Sequence, residues 1–317
     1  MSITIQSPGL FTTIQDAGRT GYQQYGFAPG GAMDRHAMVM ANLLVGNEPG
    51  EAVFEMTLIG AELTFNTDNV VAITGGTCAP MRNGEAVSMY AAILMRAGDI
   101  LTIGAALDGC RIYAAFAGGL RVPQVMGSKS TQVKYGLGGY EGRALQAGDE
   151  IGFSNPKVQL PGLKVRKLPP PVLKPGVQKL RVVLGPQAES AFTKEAIQTF
   201  MKEEYTVTNE SDRMGCRLEG KPLTFLGGAD IVSDAIALGS VQVPSSGKPI
   251  VLLADRQTVG GYAKIAAVIT VDIPIIAQCK MGDRIRFEAI SVSAAQRLYI
   301  KQEKKYRAWQ RMLLDGK

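Results

Sequence analysis

The chain has 317 residues, 46% of them hydrophobic and 20% charged, with a formal net charge of +6; that suits two domains of roughly 150 residues better than one core. No apolar run reaches the roughly 18–20 uncharged residues of a membrane-spanning helix, and Met1 to Pro8 has neither a basic region nor an apolar signal core, so a cytoplasmic protein is expected. Cys78, Cys110, Cys216 and Cys279 stand far apart with no Cys-x-x-Cys pair, which argues against a zinc cluster and a disulfide scaffold.

The first half reads as short strands punctuated by turn residues: Ala52–Ile59, Val70–Ile73, Ile100–Ile103 and Ile112–Ala117. One helix interrupts them at Asp34–Val45, where Met38, Ala41, Leu44 and Val45 recur at helical spacing and Asp34 is placed to cap. Residues 156–179 then carry six prolines, which predicts an extended, semi-rigid connector. The second half opens with a strand at Leu180–Leu184 and a helix over Ala188–Lys202 before more strands follow. An amphipathic helix from Ala294 to Leu314 closes the chain, with Leu298, Tyr306, Trp309 and Leu313 along one face that serves its own domain or a partner.

A turn-plus-strand signature recurs three times, at Ala97-Gly-Asp, Ala147-Gly-Asp and Met281-Gly-Asp, each followed by alternating apolar residues. Such units build barrels hairpin by hairpin. The fold class expected is therefore mainly β with a few helices. Its domains run 1–155 and 180–293, with a basic linker at 156–179 and the terminal helix at 294–317.

The positive charge is concentrated in two places. Residues 151–181 hold Lys157, Lys164, Arg166, Lys167, Lys174, Lys179 and Arg181 with no acid, and residues 297–317 hold seven more bases against Glu303 and Asp315. The remainder is net acidic. That pattern reads as solvated surface rather than a phosphate track, so no nucleic acid is expected as a partner, nor a membrane.

Several chemistries are missing. Gly127-Ser-Lys-Ser130 has the wrong spacing for a phosphate-binding loop, and Gly136–Gly142 puts Glu141 where a dinucleotide fingerprint needs glycine. His36 is the only histidine, which rules out a multi-histidine metal site within the chain. No metal ligands are expected.

What remains is a polar block, Asp255-Arg-Gln-Thr-Val-Gly-Gly-Tyr-Ala-Lys264, wedged between the apolar runs Ile250–Ala254 and Ile265–Val271. Two glycines would suffice for a turn, so the block is a functional rim or a structural ion-pair network. If residues 262–264 are extended, Tyr262 and Lys264 share a face. Thr12–Gly21 with Gly30-Gly-Ala-Met-Asp34 forms a second cluster. There a glycine-rich approach to a helix N-terminus suits an anion and Arg19 adds a cation, the alternative being a capped helix. Ser211–Leu218, with Arg213 and Arg217, is a third.

Together these segments resemble the family of 5-oxoprolinase C subunits, also described as KipA-like or allophanate-hydrolase-subunit-2-like. The motifs that carry the likeness are Gly9–Arg19, Gly30–Asp34, Ala41–Asn47, Gly118–Leu120, Gly127–Thr131, Gly136–Gly139, Ser211–Gly215, Gly239–Pro244 and Asp255–Ile265. The resemblance implies two cyclophilin-like β-barrel domains. It also implies a complex with an A-subunit homologue and a KipI-like 5-oxoprolinase B subunit. The reaction it implies is ATP-dependent opening of 5-oxoproline to L-glutamate, with Mg2+ accompanying ATP. Related members serve biotin-dependent carboxyl transfer in urea carboxylase, or act as KipA-like regulators of a KipI-like kinase inhibitor. No Met-Lys-Met biotin-attachment site is present.

On this resemblance Arg256 and Lys264 neutralise phosphate or carboxylate, and Asp255 holds the Arg256 guanidinium, as the catalytic set. Gln257, Thr258, Tyr262 and Arg213 orient substrate, and Arg19, Asp34 and His36 complete the cleft.

Overall fold

The computed structural model describes residues 1–171 and 175–316; Val172, Leu173 and Lys174 of the Pro-rich segment, and Lys317 of the basic tail, lie outside the described residues. The chain divides into two compact units. One comprises Met1–Arg19, Gly30–Leu173 and Lys304–Lys317, and the other Thr20–Pro29 and Lys174–Glu303.

In the first unit the strands form two antiparallel sheets. One sheet runs in the order Leu120–Arg121, Glu150–Phe153, Ser2–Ser7, Glu62–Phe65, Ile100–Thr102, Met81–Arg82, Glu85–Ala86. The other runs Thr12–Gln15, Val53–Thr57, Asp108–Phe116, Asn69–Thr77, Ala92–Met95. Their facing side chains make one core around Phe54, Phe65, Phe116 and Phe153, in which the Phe54 and Phe116 rings meet edge to face at 5.0 Å. Asp108–Phe116 is buried on both faces: Ile112, Ala114 and Phe116 enter this core, while Tyr113 and Ala115 turn to the helix α1 (Arg35–Leu44). Burial on both sides explains why that strand shows an apolar run and no alternation.

Helix α1 begins where Asp34 places Oδ1 2.9 Å from the Ala37 N–H, and its last carbonyls are met from a distance in sequence. Arg166 donates to Leu44 O at 2.6 Å and Leu43 O at 2.8 Å, and to Leu313 O at 2.5 Å. Carbonyls of a last turn lack a partner within their own helix; the buried guanidinium supplies one to Leu44 O and Leu313 O, and adds to the Gly46 N–H from which Leu43 O already accepts at 3.1 Å. Arg166 is therefore an interior cap and not the solvated linker base expected. The same segment holds a 3₁₀ turn at Leu163–Val165 and buries Leu168, so its prolines do not keep all of it extended.

The second unit contains the closed barrel. Its strands are Gln178–Leu184, Lys264–Val268, Ser240–Gln242, Ile250–Leu252, Gly215–Glu219, Tyr205–Val207 and Arg284–Ala289, the last pairing in parallel with the first. The helix expected over Ala188–Lys202 is two, α2 (Ala188–Ala191) and α3 (Lys194–Lys202). Phe192 is extended and buried at the break, and Thr193 Oγ1 accepts from the Ala196 N–H at 3.1 Å to start α3. A short helix α4 (Ile273–Ala277) follows the strand at Lys264–Val268, and α5 (Val292–Leu314) is the terminal helix. Its Tyr306 and Leu313 are buried in the α1 cluster of the first unit, with Trp309 packed beside them. Among the described residues no helix is long and apolar enough to cross a membrane.

All three Gly-Asp repeats fold alike. Gly98, Gly148 and Gly282 have φ of 90°, 89° and 89°, the left-handed region that favours glycine. In each, the aspartate N–H closes the turn on the carbonyl three residues back, and its carboxylate accepts from that same residue's N–H. A strand leaves each turn directly.

Asp149 is the best anchored of the three, because Arg143 donates to both its oxygens, at 2.7 and 2.9 Å. Those bonds, opposed by burial and aided by the Gln146 N–H, hold its carboxyl below the ordinary value of 3.8. The stabilisation is thus present above about pH 4 and lost as pH falls through the folded value. Asp149→Asn is expected to cost roughly 1 kcal/mol near neutrality. Urea melts should show that gap closing in acid.

Candidate functional site

The polar block 255–264 is not one loop. The chain leaves the barrel after Ile250–Leu252, runs as a strand at Val259–Tyr262, and re-enters the barrel at Lys264–Val268. Val259–Tyr262 pairs with Asp230–Ala235 in a two-stranded sheet of its own. Gly260 packs closely there: a Cβ would lie 2.7 Å from Ile236 Cδ1 and 2.8 Å from Gln242 Nε2, so those side-chain ends would have to shift. Tyr262 is 40% exposed while Lys264 is buried, so the two do not share an environment as an unbroken strand would require. Ala263 between them lies in neither strand, its N–H bonded to Ala229 O at 3.1 Å, and this break separates the two environments.

The two cations singled out by sequence converge on one strand end. Lys264 Nζ donates to Asp234 Oδ2 at 2.6 Å and to Ala235 O at 2.9 Å. Arg256 Nε donates to the next carbonyl, Ile236 O, at 3.2 Å, and Nη1 to Leu253 O at 3.2 Å. Burial pulls the Arg256 guanidinium down to about 10, against the neighbouring Asp255 charge, and leaves it cationic at neutral pH.

Asp255 does not hold Arg256. It forms a two-pronged pair with Arg213, at 2.8 and 3.1 Å, because the Asp255 N–H also bonds Arg213 O and brings the two segments together. Gln257 Nε2 lies 3.4 Å from Gln242 Oε1, and Gln242 Nε2 donates to Tyr262 O at 3.2 Å. Thr258 contributes its carbonyl to the Ile236 N–H, with its side chain half-buried.

The structure thus gathers Lys264, Arg256, Gln257, Thr258 and Tyr262 around residues 234–236 and Gln242, and ties Asp255 to Arg213. Sequence reasoning missed Asp234, Gln242 and Gln187, whose Oε1 accepts from the Lys264 N–H at 3.2 Å. Gln242 stood in the Gly239–Pro244 motif without a role. Asp234 gave no signal, being one acid in an exposed stretch.

In the first unit the predicted residues have other duties. Asp34 caps α1 while its N–H donates to Tyr113 Oη at 2.8 Å, so its carboxylate already occupies the helix start where an anion was expected. His36 Nδ1 lies 2.9 Å from Tyr306 Oη, and its ring stacks on Tyr306 at 5.6 Å and leans on Trp309 at 6.1 Å. It is a packing residue between α1 and α5. Arg19 is fully buried, with Nη2 donating to Ser130 O.

Residues 127–131 make no phosphate cradle. The Asp16 carboxylate accepts from Ser128 Oγ at 2.7 Å, Ser130 Oγ at 2.5 Å, the Lys129 N–H at 2.6 Å and the Gly18 N–H at 2.8 Å. An anion built into the chain fills that nest. Lys129 Nζ pairs instead with Glu51 at 2.6 Å. Among the described residues no three of His, Cys, Asp and Glu converge as metal ligands. A groove of about 580 Å³ in the second unit, lined by Val183, Leu238, Val268, Ile269, Tyr299 and Ile300, contains none of the predicted side chains.

Comparison with known proteins follows the same segments. A family profile described as carboxyltransferase domain, subdomain A and B, matches residues 25–289. The 5-oxoprolinase C subunit of Haemophilus influenzae is 38% identical over 292 residues, covering 92% of each chain. That of Escherichia coli is 37% identical over 303 residues, 93% of this chain and 95% of its own. The crystal structure of the K. lactis urea amidolyase matches with a TM-score of 0.90 at 30% identity over 97% of this chain, which spans 20% of that much longer one.

Burial, then the charges of Lys305 and Arg35, lowers the His36 imidazole from 6.5 to about 4. As pH falls below about 6.5 the unfolded chain takes up this proton first. Stability is therefore lost between about pH 6.5 and 4, by up to roughly 3 kcal/mol from this group. Proton NMR of the single imidazole should show a midpoint near 4 in the folded protein. A midpoint near 6.5 would mean a solvated ring.

Proposed function

The chain belongs to the carboxyltransferase subdomain A and B family, and from that premise we propose that it is one component of an ATP-dependent 5-oxoprolinase that opens 5-oxoproline to L-glutamate. The observation that carries this reading is end-to-end correspondence with two 5-oxoprolinase C subunits, over 92% and 95% of their lengths. Similarity to urea amidolyase is to a fifth of that chain. An A-subunit homologue and a KipI-like B subunit are the partners in this complex.

A lactam carbonyl is a weak electrophile. Transfer of the ATP γ-phosphoryl group to its oxygen, with release of ADP, activates the carbon. Water then adds, the C–N bond breaks as the ring nitrogen is protonated, and a second water releases phosphate from the acyl phosphate. Such chemistry needs cations for the anionic groups and donors aimed at the lactam.

On this reading Lys264 and Arg256 supply the cations at the rim of the second barrel, and Gln257 and Tyr262 orient the ring. Asp255 fixes Arg213 beside them. With residues 127–131 filled by Asp16, nucleotide binding falls to other residues or to a partner chain. Among the described residues no three of His, Cys, Asp and Glu converge to hold Mg2+, which would enter with the ATP phosphates.

The second reading, a biotin-dependent carboxyltransferase half, is favoured by the TM-score of 0.90 to urea amidolyase. The reconstituted three-component complex separates the two. Glutamate released from 5-oxoproline with ATP alone supports the first, and a requirement for biotin and bicarbonate supports the second. Lys264→Ala and Arg256→Ala are each expected to lower turnover at least about 100-fold, with the complex still eluting intact on gel filtration. Near-normal turnover in either would remove that residue from the site.

A further inference from the structure

Lys264 and its counter-ion are unequal partners. The lysine side chain is 5% exposed and the Asp234 side chain 49%, yet they meet at 2.6 Å. The ammonium cannot follow a departing partner into water without unfolding part of the barrel strand that carries it. The carboxylate can, because it stands at the end of Asp230–Ala235, whose pairing with Val259–Tyr262 slips between Asp230 and Asp234 and whose Val232 is 93% exposed. Asp234 is ionised at neutral pH, its carboxyl held below the ordinary range first by the Lys264 hydrogen bond and then by the Ala235 N–H.

A ligand carboxylate that takes the place of Asp234 meets the same ammonium and leaves its other acceptor, the backbone Ala235 O, undisturbed. Replacing carboxylate by carboxylate keeps one buried cation matched to one anion. A neutral group there would strand the ammonium, at a cost that buried charges do not tolerate.

We propose that Asp234 is a built-in stand-in for the substrate carboxylate, which binds Lys264 Nζ in its place while Asp234 turns out to solvent. This rests on reading residues 255–264 as the substrate rim. It makes the second barrel a carboxylate subsite, selective for 5-oxoproline over its uncharged analogue 2-pyrrolidinone. Asp234 sets affinity by competing with substrate and takes no part in bond breaking.

The test compares Asp234→Asn, which keeps shape and an acceptor but removes the charge, with Asp234→Glu, which keeps the charge. In the active complex, the KM for 5-oxoproline should fall about tenfold in the asparagine variant, a competition worth about 1.4 kcal/mol. It should stay near wild type in the glutamate variant, with the KM for ATP unmoved in both. An unchanged or raised KM for 5-oxoproline, or the same shift in both variants, overturns the proposal. A shift in the KM for ATP instead would assign the lysine to phosphate and overturn it equally.

A second measurement needs no turnover. Acetylation of Lys264 in the full chain, mapped by mass spectrometry on protein whose fold is checked by thermal melting, should be faster in Asp234→Asn. 5-Oxoproline should suppress it and 2-pyrrolidinone should not. If the complex lacks 5-oxoprolinase activity while this protection holds, the reaction assigned above is wrong and the carboxylate subsite stands. If activity is present and protection fails, the subsite is wrong and the reaction stands.

Discussion

A cation buried in a β-barrel must find its acceptors inside the protein, and in the second unit two of them find the same strand end. Lys264 and Arg256 donate to consecutive positions, Asp234–Ala235 and Ile236, at the end of a strand outside the barrel. That sharing ties the Asp230–Ala235 ribbon to the barrel strand that begins at Lys264. Between residues 253 and 264 the chain steps out of the barrel and back.

The first unit obeys the same rule with the signs reversed. Asp16 is a buried carboxylate, and the chain bends residues 127–131 around it until two hydroxyls and two N–H groups satisfy its oxygens. Read as a string, Gly127-Ser-Lys-Ser-Thr131 has phosphate-loop chemistry at the wrong spacing. In three dimensions it is an anion nest whose anion is covalently part of the protein. Asp34 does likewise at the start of α1. In both units, then, places that attract an external anion hold an internal one, and they differ in how firmly. Asp16 and Asp34 are buried, whereas the Asp234 side chain is half exposed. Exchange with a ligand costs little at only the last of these.

Periodicity and turn chemistry made the β-rich fold legible. The three Gly-Asp turns share one hydrogen-bond pattern because glycine at the left-handed position and an acid after it leave few alternatives, and both are visible in the string. Helix α1 was legible for the same reason, through its cap. Illegible features were those set by partners distant in sequence. Arg166 looked like a linker charge because the carbonyls it caps lie more than 100 residues away. His36 looked like chemistry because it is the lone histidine, and it is packed by aromatic rings some 270 residues further on. Asp255 chose Arg213 over its neighbour Arg256, since adjacent side chains seldom face each other and a backbone bond had already brought Arg213 alongside.

Fold alone does not decide which reaction the chain serves. The urea amidolyase domain matches at a TM-score of 0.90 while sharing 30% of its residues, so one scaffold is compatible with different chemistries and the distinction must lie in side chains at the site. The ion pair on the barrel rim is the place to look. On the proposed exchange, a buried ammonium whose half-exposed partner leaves selects for an anionic substrate, whatever happens next to the bond being broken. An uncharged substrate such as urea brings no anion to exchange for Asp234. The proposed exchange at Lys264 therefore favours a substrate that carries its own carboxylate, and 5-oxoproline is such a molecule.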